Sequence, residues 1–355
     1  MVDFEVYYKA GKRIKLGETL YQVEDGHYQF KYPPFSALLY LPLSYLPLDA
    51  AKFIWYSVIL ISTGFLFYTS HKLLTTKKKG EWIIPVLTFI ILARFFLREL
   101  QLGQMNSLFT FLLISMVWLI ISDENFSSNW KKRGAGFLWG LSTVLKPYAL
   151  IFLPYFLIKR KWQTLCSGAL FLGLAFIAPS LFYGFKGNLY VHKEWLSSLS
   201  SSTPLLFDSQ DNISIIAFFM KRTENLEVSV LLYGAVLIIL AFFLLFIVLK
   251  GSKMKNALLL DSSILFICIP LISPLGWDYT LLSSALGVMI ILRSFFNYSK
   301  FWRGILIINF FIIVFSLYDI LGRKLYASFM SLSIITINFL ILIVYLSYLR
   351  LKRHK

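Results

Sequence analysis

Charge is scarce in this chain. Of its 355 residues only 15% are Asp, Glu, Lys or Arg, while 58% are hydrophobic and 18% aromatic. A soluble domain of this length has no use for so much apolar surface; repeated apolar runs near 20 residues call for a helical polytopic membrane protein. Helices are the default because hydrocarbon offers no partner to free backbone N–H and C=O groups. Cysteine is nearly absent: Cys166 and Cys268 both lie in apolar runs, which argues against a disulfide framework. The four histidines (His27, His71, His192 and His354) show no metal-ligand spacing, so no metal site is expected. Internal repeats and Gly-rich phosphate loops are also missing, which weighs against a nucleotide-driven pump and a soluble nucleotide-sugar site. Acidic residues are outnumbered, 18 against 35 basic, for a net charge of +17. The Lys and Arg cluster between apolar runs, so they read as cytoplasmic loops, with no nucleic-acid partner and no cofactor expected.

What is present is a series of apolar runs, near 52–70, 82–97, 105–122, 163–183, 227–249, 257–272, 279–292, 304–321 and 331–349. The stretch 134–158 differs. Lys131-Lys132-Arg133 precedes it, Lys159-Arg160-Lys161 follows it, and Lys146-Pro147 lies in its middle. A single span would put one basic cluster outside. A broken hairpin turning at Lys146-Pro147 keeps both inside, with arms too short to cross fully; such segments are tolerated where they line a protein cavity. The stretch 122–133 reads as a loop, and Ser197–Pro204 as part of a mobile outer loop.

The positive-inside rule then places Lys77-Lys78-Lys79, Lys131-Lys132-Arg133, Lys159-Arg160-Lys161, Lys250/Lys253/Lys255, Arg293/Lys300/Arg303 and Arg350/Lys352/Arg353/Lys355 in the cytoplasm. The other side receives 1–50, 98–106, the Lys146 turn, 184–226, 273–278 and 322–330, with eleven crossings in all. A head carrying Lys9, Lys12, Arg13, Lys15 and Lys31 is a poor candidate for export without a span ahead of it, so the map expects a further helix upstream of Asp3. The alternative is an inverted early topology, which would put Lys77-Lys78-Lys79 outside.

Polar groups beside hydrocarbon are costly and are functional candidates by default. On this map they converge on the outer side: Asp3 and Glu5; Arg94, Arg98 and Glu99 leading into Gln101-Leu102-Gly103-Gln104-Met105-Asn106; Lys146; Asp211-Asn212; and Trp277-Asp278-Tyr279. A carboxylate beside a cationic pocket at a membrane surface suits transfer from a lipid phosphate. The leaving phosphate needs positive charge, which Lys146 and Arg98 can supply. The acceptor hydroxyl needs a base, a role open to Asp3. A sugar needs amides and aromatics, and Gln104, Asn106, Asn212, Tyr32 and Trp277 have that character, with Asp278 beside them. Each has a plainer reading: Asp3 as an N-cap, Lys146 as a snorkelling side chain at a kink, Arg98 and Glu99 as partners of each other, Asp278 as a helix cap.

The chain resembles glycosyltransferase family 87, polytopic transferases of the GT-C type that use polyprenyl-phosphate sugars and include mycobacterial mannosyltransferases. The resemblance covers most of 3–290. It rests on Asp3-Phe4-x-Val6-Tyr7-Tyr8 with Gly17-Glu18-x-Leu20-Tyr21, Tyr32-Pro33-Pro34 with Leu41-Pro42-Leu43, Leu102-Gly103-Gln104-Met105-Asn106, Leu145-Lys146-Pro147, Asp211-Asn212-Ile213-Ser214 and Ser273-Pro274-Leu275-Gly276-Trp277-Asp278. It implies a GT-C fold, a helix ahead of the acidic motif, Asp3 as the catalytic acidic residue and inversion at the anomeric carbon. Two departures stand out: Tyr279-Thr280 where many relatives have His after the Trp-Asp pair, and Asn212-Ile213-Ser214 where Asn-Gln-Ser is usual.

The expectation is therefore an all-α polytopic membrane protein of the bacterial plasma membrane with its active site facing outward. It would move a hexose or pentose, mannose favoured, from a polyprenyl-phosphate donor to a glycan or lipid acceptor. Its regions would be an outer head loop at 1–50, a membrane catalytic module at 51–183, a second outer loop at 184–226 and C-terminal membrane helices at 227–355. The competing classes are a transporter or flippase for a lipid-linked sugar, which would need the same cations without Asp3, and an inactive envelope scaffold.

Overall fold

The computed structural model describes residues 1–74, 82–122, 128–250 and 257–352. Lys77-Lys78-Lys79, Lys253, Lys255, Arg353 and Lys355 of the charge map lie outside the described residues. Every named element among those described is helical, and the one strand-like feature is an isolated antiparallel bridge between Asn212 and Trp277. The protein is all-α and polytopic. It divides into two compact units, one built from 1–69 and 98–204, the other from 70–97 and 205–355.

The first unit opens with helix α1 (Val2–Leu16). Phe4, Tyr7, Tyr8, Gly11 and Ile14 recur at helical spacing and are its buried face. The helix ends at Gly17, where the backbone turns left-handed and Glu18 N–H bonds Arg13 O at 2.9 Å. Helix α2 (Pro34–Tyr40) starts on the Pro33-Pro34 pair and packs on α1 so tightly that a Cβ on Gly11 would lie 2.8 Å from Tyr40 O. Helix α3 (Leu48–Leu74) brings Trp55 against this pair. Ring centroids of Tyr7–Tyr40 and Tyr40–Trp55 are 4.8 and 5.1 Å apart. The stretch expected as a head loop is thus a small helical subassembly with its own aromatic core.

Helix α4 (Ile83–Leu102) gives its last residues to this unit. Helices α5 (Asn106–Ile121) and α6 (Asn129–Leu145) follow, then a 3-10 turn over Pro147–Ile151 and helix α7 (Phe152–Ile158). The expected reversal at Lys146-Pro147 is present: Trp139 of α6 donates to Ala149 O at 2.8 Å and its ring stands 5.5 Å from that of Phe156 on α7. Helix α8 (Trp162–Ile177) crosses α6 through small residues. A Cβ on Gly136 would lie 2.2 Å from Thr164 O, and one on Gly168 2.4 Å from the Trp139 ring.

Two loop expectations need correction. The described part of 122–133 is a loop only at Ser122 and Ser128; Asn129 to Arg133 already belong to α6, so Lys131-Lys132-Arg133 ride on its first turns. The serine run lies in helix α9 (Ser180–Ser202) up to Ser202. Ser201 and Ser202 hydroxyls donate to Ser197 O and Ser198 O, one turn back, at 3.0 and 2.7 Å. Back-bonding of this kind satisfies a serine hydroxyl inside a helix, so a serine run need not break one.

The second unit contains α10 (Ile215–Thr223), α11 (Leu226–Leu249), α12 (Ala257–Ile272), α13 (Ala285–Arg293), α14 (Lys300–Phe315), α15 (Tyr318–Ser331) and α16 (Ile334–Lys352). Asp261 and Arg350, both fully buried, pair at 2.7 Å and tie α12 to α16. By length and composition α3, α11 and α16 can each cross a membrane. The pairs α8–α9 and α14–α15, bent by 93° and 103°, bring the number to five if each is one span. That is fewer than the eleven crossings of the charge map. The apolar runs are helical where the sequence places them, but α5 and α12 have 16 residues each, about 24 Å of helix at 1.5 Å per residue, short of a hydrocarbon layer of about 30 Å.

Candidate functional site

Asp3 stands half-buried in the first turn of α1, and its Oδ2 accepts a 2.6 Å hydrogen bond from Gln104 Nε2. The other end of that carboxamide, Oε1, accepts from the Tyr7 hydroxyl at 2.8 Å and the Tyr32 hydroxyl at 3.5 Å, and the two hydroxyls are 3.1 Å apart. Tyr7 follows Asp3 by one helical turn, so both face Gln104. Burial raises both phenols above their ordinary pKa, so they remain donors at neutral pH. The donors and acceptors fix the amide: a carboxylate only accepts, so the Gln104 nitrogen must face Asp3. Glu5 points elsewhere, to Lys52 at 2.6 Å.

Gln104 is held by the turn between α4 and α5. Gly103 has φ +76°, and a Cβ there would lie 2.9 Å from that of Phe4, so both backbone conformation and space demand glycine. The Trp55 indole donates to Gly103 O at 2.8 Å, and Tyr40 hydroxyl points to Met105 Sδ at 3.7 Å. The head and the turn are thereby one structure.

The same turn places Asn106 at the start of α5. Its Nδ2 donates to Glu99 Oε2 at 2.7 Å, and its Oδ1 accepts from Lys146 Nζ at 2.6 Å. Glu99 Oε1 accepts from Ser107 N at 2.8 Å, capping an otherwise orphan amide of α5 with a carboxylate from the preceding helix. Lys146 is extended (φ −144°, ψ 115°), as a residue before proline prefers, and α6 ends there. Its ammonium lies 5.7 Å from the centre of the Tyr32 ring, and the Ser36 hydroxyl bonds Val144 O to hold α2 against the end of α6. Burial lowers the proton affinity of Lys146, opposed first by Glu99 and then by Asp3. Arg98 is half-buried on α4, one residue before Glu99 and so turned about 100° from it.

Asp3, Tyr32, Gln104, Asn106 and Lys146 therefore meet in one polar cluster of the first unit. Asn212, Trp277 and Asp278 belong to the second. The Asn212 carboxamide is fully buried: its nitrogen donates to Leu206 O, Phe207 O and Pro274 O at 3.1–3.3 Å, and its oxygen accepts from Ser214 N and Gly276 N at 3.2 and 3.1 Å. It fastens two loops together. Trp277 is half-buried against Phe207, Ile216 and Leu275. Asp278, fully buried, pairs with Arg94 at 2.7 Å, and Arg94 also donates to Ser316 O and Oγ and reaches Tyr326 hydroxyl at 3.3 Å. Tyr326 in turn donates to Asp211 at 3.0 Å.

Sequence reasoning gave Tyr7 no role in the site, and gave Glu99 none more specific than a polar candidate or a partner of Arg98. Tyr7 carried a signal, being a phenol one turn after Asp3. Glu99 carried another, an acid near the end of an apolar helix seven residues before Asn106. Among the described residues no three of His, Cys, Asp and Glu gather as a metal site would require.

A model of glycosyltransferase family 87 matches residues 30–274, a range that begins after α1. Over 187 residues the chain is 25% identical to the polyprenol-phosphate-mannose-dependent alpha-(1-2)-phosphatidylinositol pentamannoside mannosyltransferase of Mycolicibacterium smegmatis (strain ATCC 700084 / mc(2)155), a match covering 48% of this chain and 41% of that protein. The chain thus aligns with less than half the length of this curated relative. No solved structure matches it.

Proposed function

The chain belongs to glycosyltransferase family 87 and is a polytopic membrane glycosyltransferase, and from that premise we propose that the cluster around Asp3, Gln104 and Lys146 transfers a sugar from a polyprenyl-phosphate donor to a glycan or lipid acceptor. The reaction is a single displacement. The acceptor oxygen attacks the anomeric carbon as Asp3 takes its proton, and the bond from that carbon to the donor phosphate oxygen breaks. The electron pair leaves with the lipid phosphate, whose added charge Lys146 stabilises, with Arg98 adding to the field. Gln104 orients the Asp3 carboxylate. Tyr7 fixes Gln104, and Tyr32 and Asn106 line the space between base and cation. Asn212, Trp277 and Asp278 are assigned to sugar or acceptor recognition, Asn212 and Asp278 by shaping the loops that carry Trp277. Mannose is the favoured sugar because the curated relative depends on polyprenol-phosphate-mannose. The site is assigned to the outer face of the bacterial plasma membrane.

The observation that supports this reading is the Gln104–Asn106 turn, which binds the Asp3 carboxylate with one residue and the Lys146 ammonium with another. Base and phosphate-binding cation are then presented together. The test is transfer of radiolabel from polyprenyl-phosphate mannose, glucose or arabinose in membranes carrying wild type or Asp3→Asn at equal expression. Loss of a general base is expected to lower kcat by about 10²–10⁴-fold with little change in donor KM. Equal turnover by both proteins would remove Asp3 from the chemistry.

A further inference from the structure

Lys146 is a buried ammonium with three N–H groups and, among the described residues, one hydrogen bond, to Asn106 Oδ1. A buried charge held so sparsely is costly unless something nearby compensates it. Asp3 approaches from α1 and the Tyr32 ring from the segment before α2. Tyr148, two residues on, is close enough to Tyr32 to act on it electrostatically. Glu99 on α4 stands behind Asn106. Of the two acids, Asp3 is engaged by Gln104 and half-exposed, whereas Glu99 is fully buried and makes the stronger contribution at Lys146.

The arrangement of Glu99 is informative. Its two oxygens are engaged by Ser107 N and Asn106 Nδ2, which also oppose the upward push that burial exerts on its pKa. A direct ion pair between Glu99 and Lys146 would neutralise the charge that an anion needs. With Asn106 between them, the carboxylate polarises the amide and the amide oxygen meets the ammonium. Lys146 gains a counter-charge at one amide's remove and keeps two donors.

We propose that Glu99 is a positioning residue that holds Lys146 charged through the carboxamide of Asn106, leaving two ammonium N–H groups to receive the donor phosphate. The second half of this statement rests on the donor reading given above; the first half does not.

The test therefore has two readouts. In the full chain, carried in nanodiscs and labelled with 15N at lysine side chains, the Lys146 signal is identified by its loss in Lys146→Arg and titrated with no donor present. Glu99→Gln is expected to lower its midpoint by about one pH unit or more, as loss of a nearby opposite charge does. Glu99→Asp, which keeps the charge, is expected to restore most of that shift. With polyprenyl-phosphate mannose, Glu99→Gln should raise donor KM increasingly as pH rises, and adding Lys146→Arg should abolish that pH dependence. An unmoved Lys146 midpoint in Glu99→Gln overturns the inference, whatever the transfer assay gives. Equal shifts in the Gln and Asp variants overturn it too, because packing rather than charge would then be the cause. A moved midpoint in a chain that transfers no sugar supports the relay and counts against the donor reading.

Discussion

A lysine with a lowered pKa gives folding and donor binding opposite responses to alkali. Between the lowered value and the ordinary one near 10.5, the unfolded chain holds a proton on Lys146 that the folded chain has released, so this residue's contribution makes the fold more stable as pH rises. Donor binding needs the charged form and weakens over the same interval. Wild-type donor KM should climb at a pH below the ordinary lysine range, and Lys146→Arg, which stays protonated throughout, should flatten that limb. A KM profile of wild type that stays flat to pH 10 would separate Lys146 from the phosphate. At this scale the sequence was legible where chemistry is scarce: acids, amides and cations beside apolar runs drew attention to Asp3, Gln104, Asn106 and Lys146, and these do meet. What it could not supply was pairing. Nothing in the spacing says that Asn106 bridges Glu99 and Lys146, forty residues downstream, or that Asn212 is engaged on both ends of its amide by backbone groups.

At the scale of elements, the crossing of α6 and α8 aims the Lys146 turn. Gly136 and Gly168 let the backbones approach to a separation that has no room for a methyl group, the arrangement by which membrane helices gain packing without a hydrophobic drive. Gly136→Leu should cost about 1–3 kcal/mol by overpacking. It should lower the thermal midpoint in detergent and, by displacing the end of α6, reduce donor binding as well. Unchanged stability would mean that the two helices part without strain. Helix positions were readable because apolar runs and basic brackets mark them, as the hairpin at Lys146-Pro147 illustrates. The outer stretch 1–50 was read by its sidedness alone, although Phe4, Tyr7, Tyr8, Gly11 and Ile14 already carried a helical period. The serine run misled for another reason: polarity resembles a loop until the hydroxyls bond back to their own helix.

Over the whole molecule, the all-α polytopic class followed from composition, whereas the number of crossings did not. Run length cannot separate a full span from a short helix or from one arm of a bent pair, as α8–α9 and α14–α15 demonstrate. The charge map makes a sided prediction that the fold permits testing. With Cys166 and Cys268 replaced by serine, Glu18→Cys near the head should react with a membrane-impermeant maleimide in intact cells, and Gln163→Cys at the start of α8 only after lysis. The reverse pattern would invert the proteins's early topology and move the Asp3 cluster to the cytoplasmic face. Agreement would put the +17 charge to use as an orienting signal.

The buried turn at Lys146 has a chemical side as well as an electrostatic one. An amine that yields its proton more readily than its neighbours is also a better nucleophile at neutral pH. Proline at 147 holds it extended, and Asn106 restrains it from one side only. Burial lowers the proton affinity of Lys146, as it does for Lys221 and Lys31, and such an amine is suited to form an imine with a small anionic aldehyde. The place assigned to the lipid phosphate is thus also where a covalent inhibitor would have its warhead meet an amine.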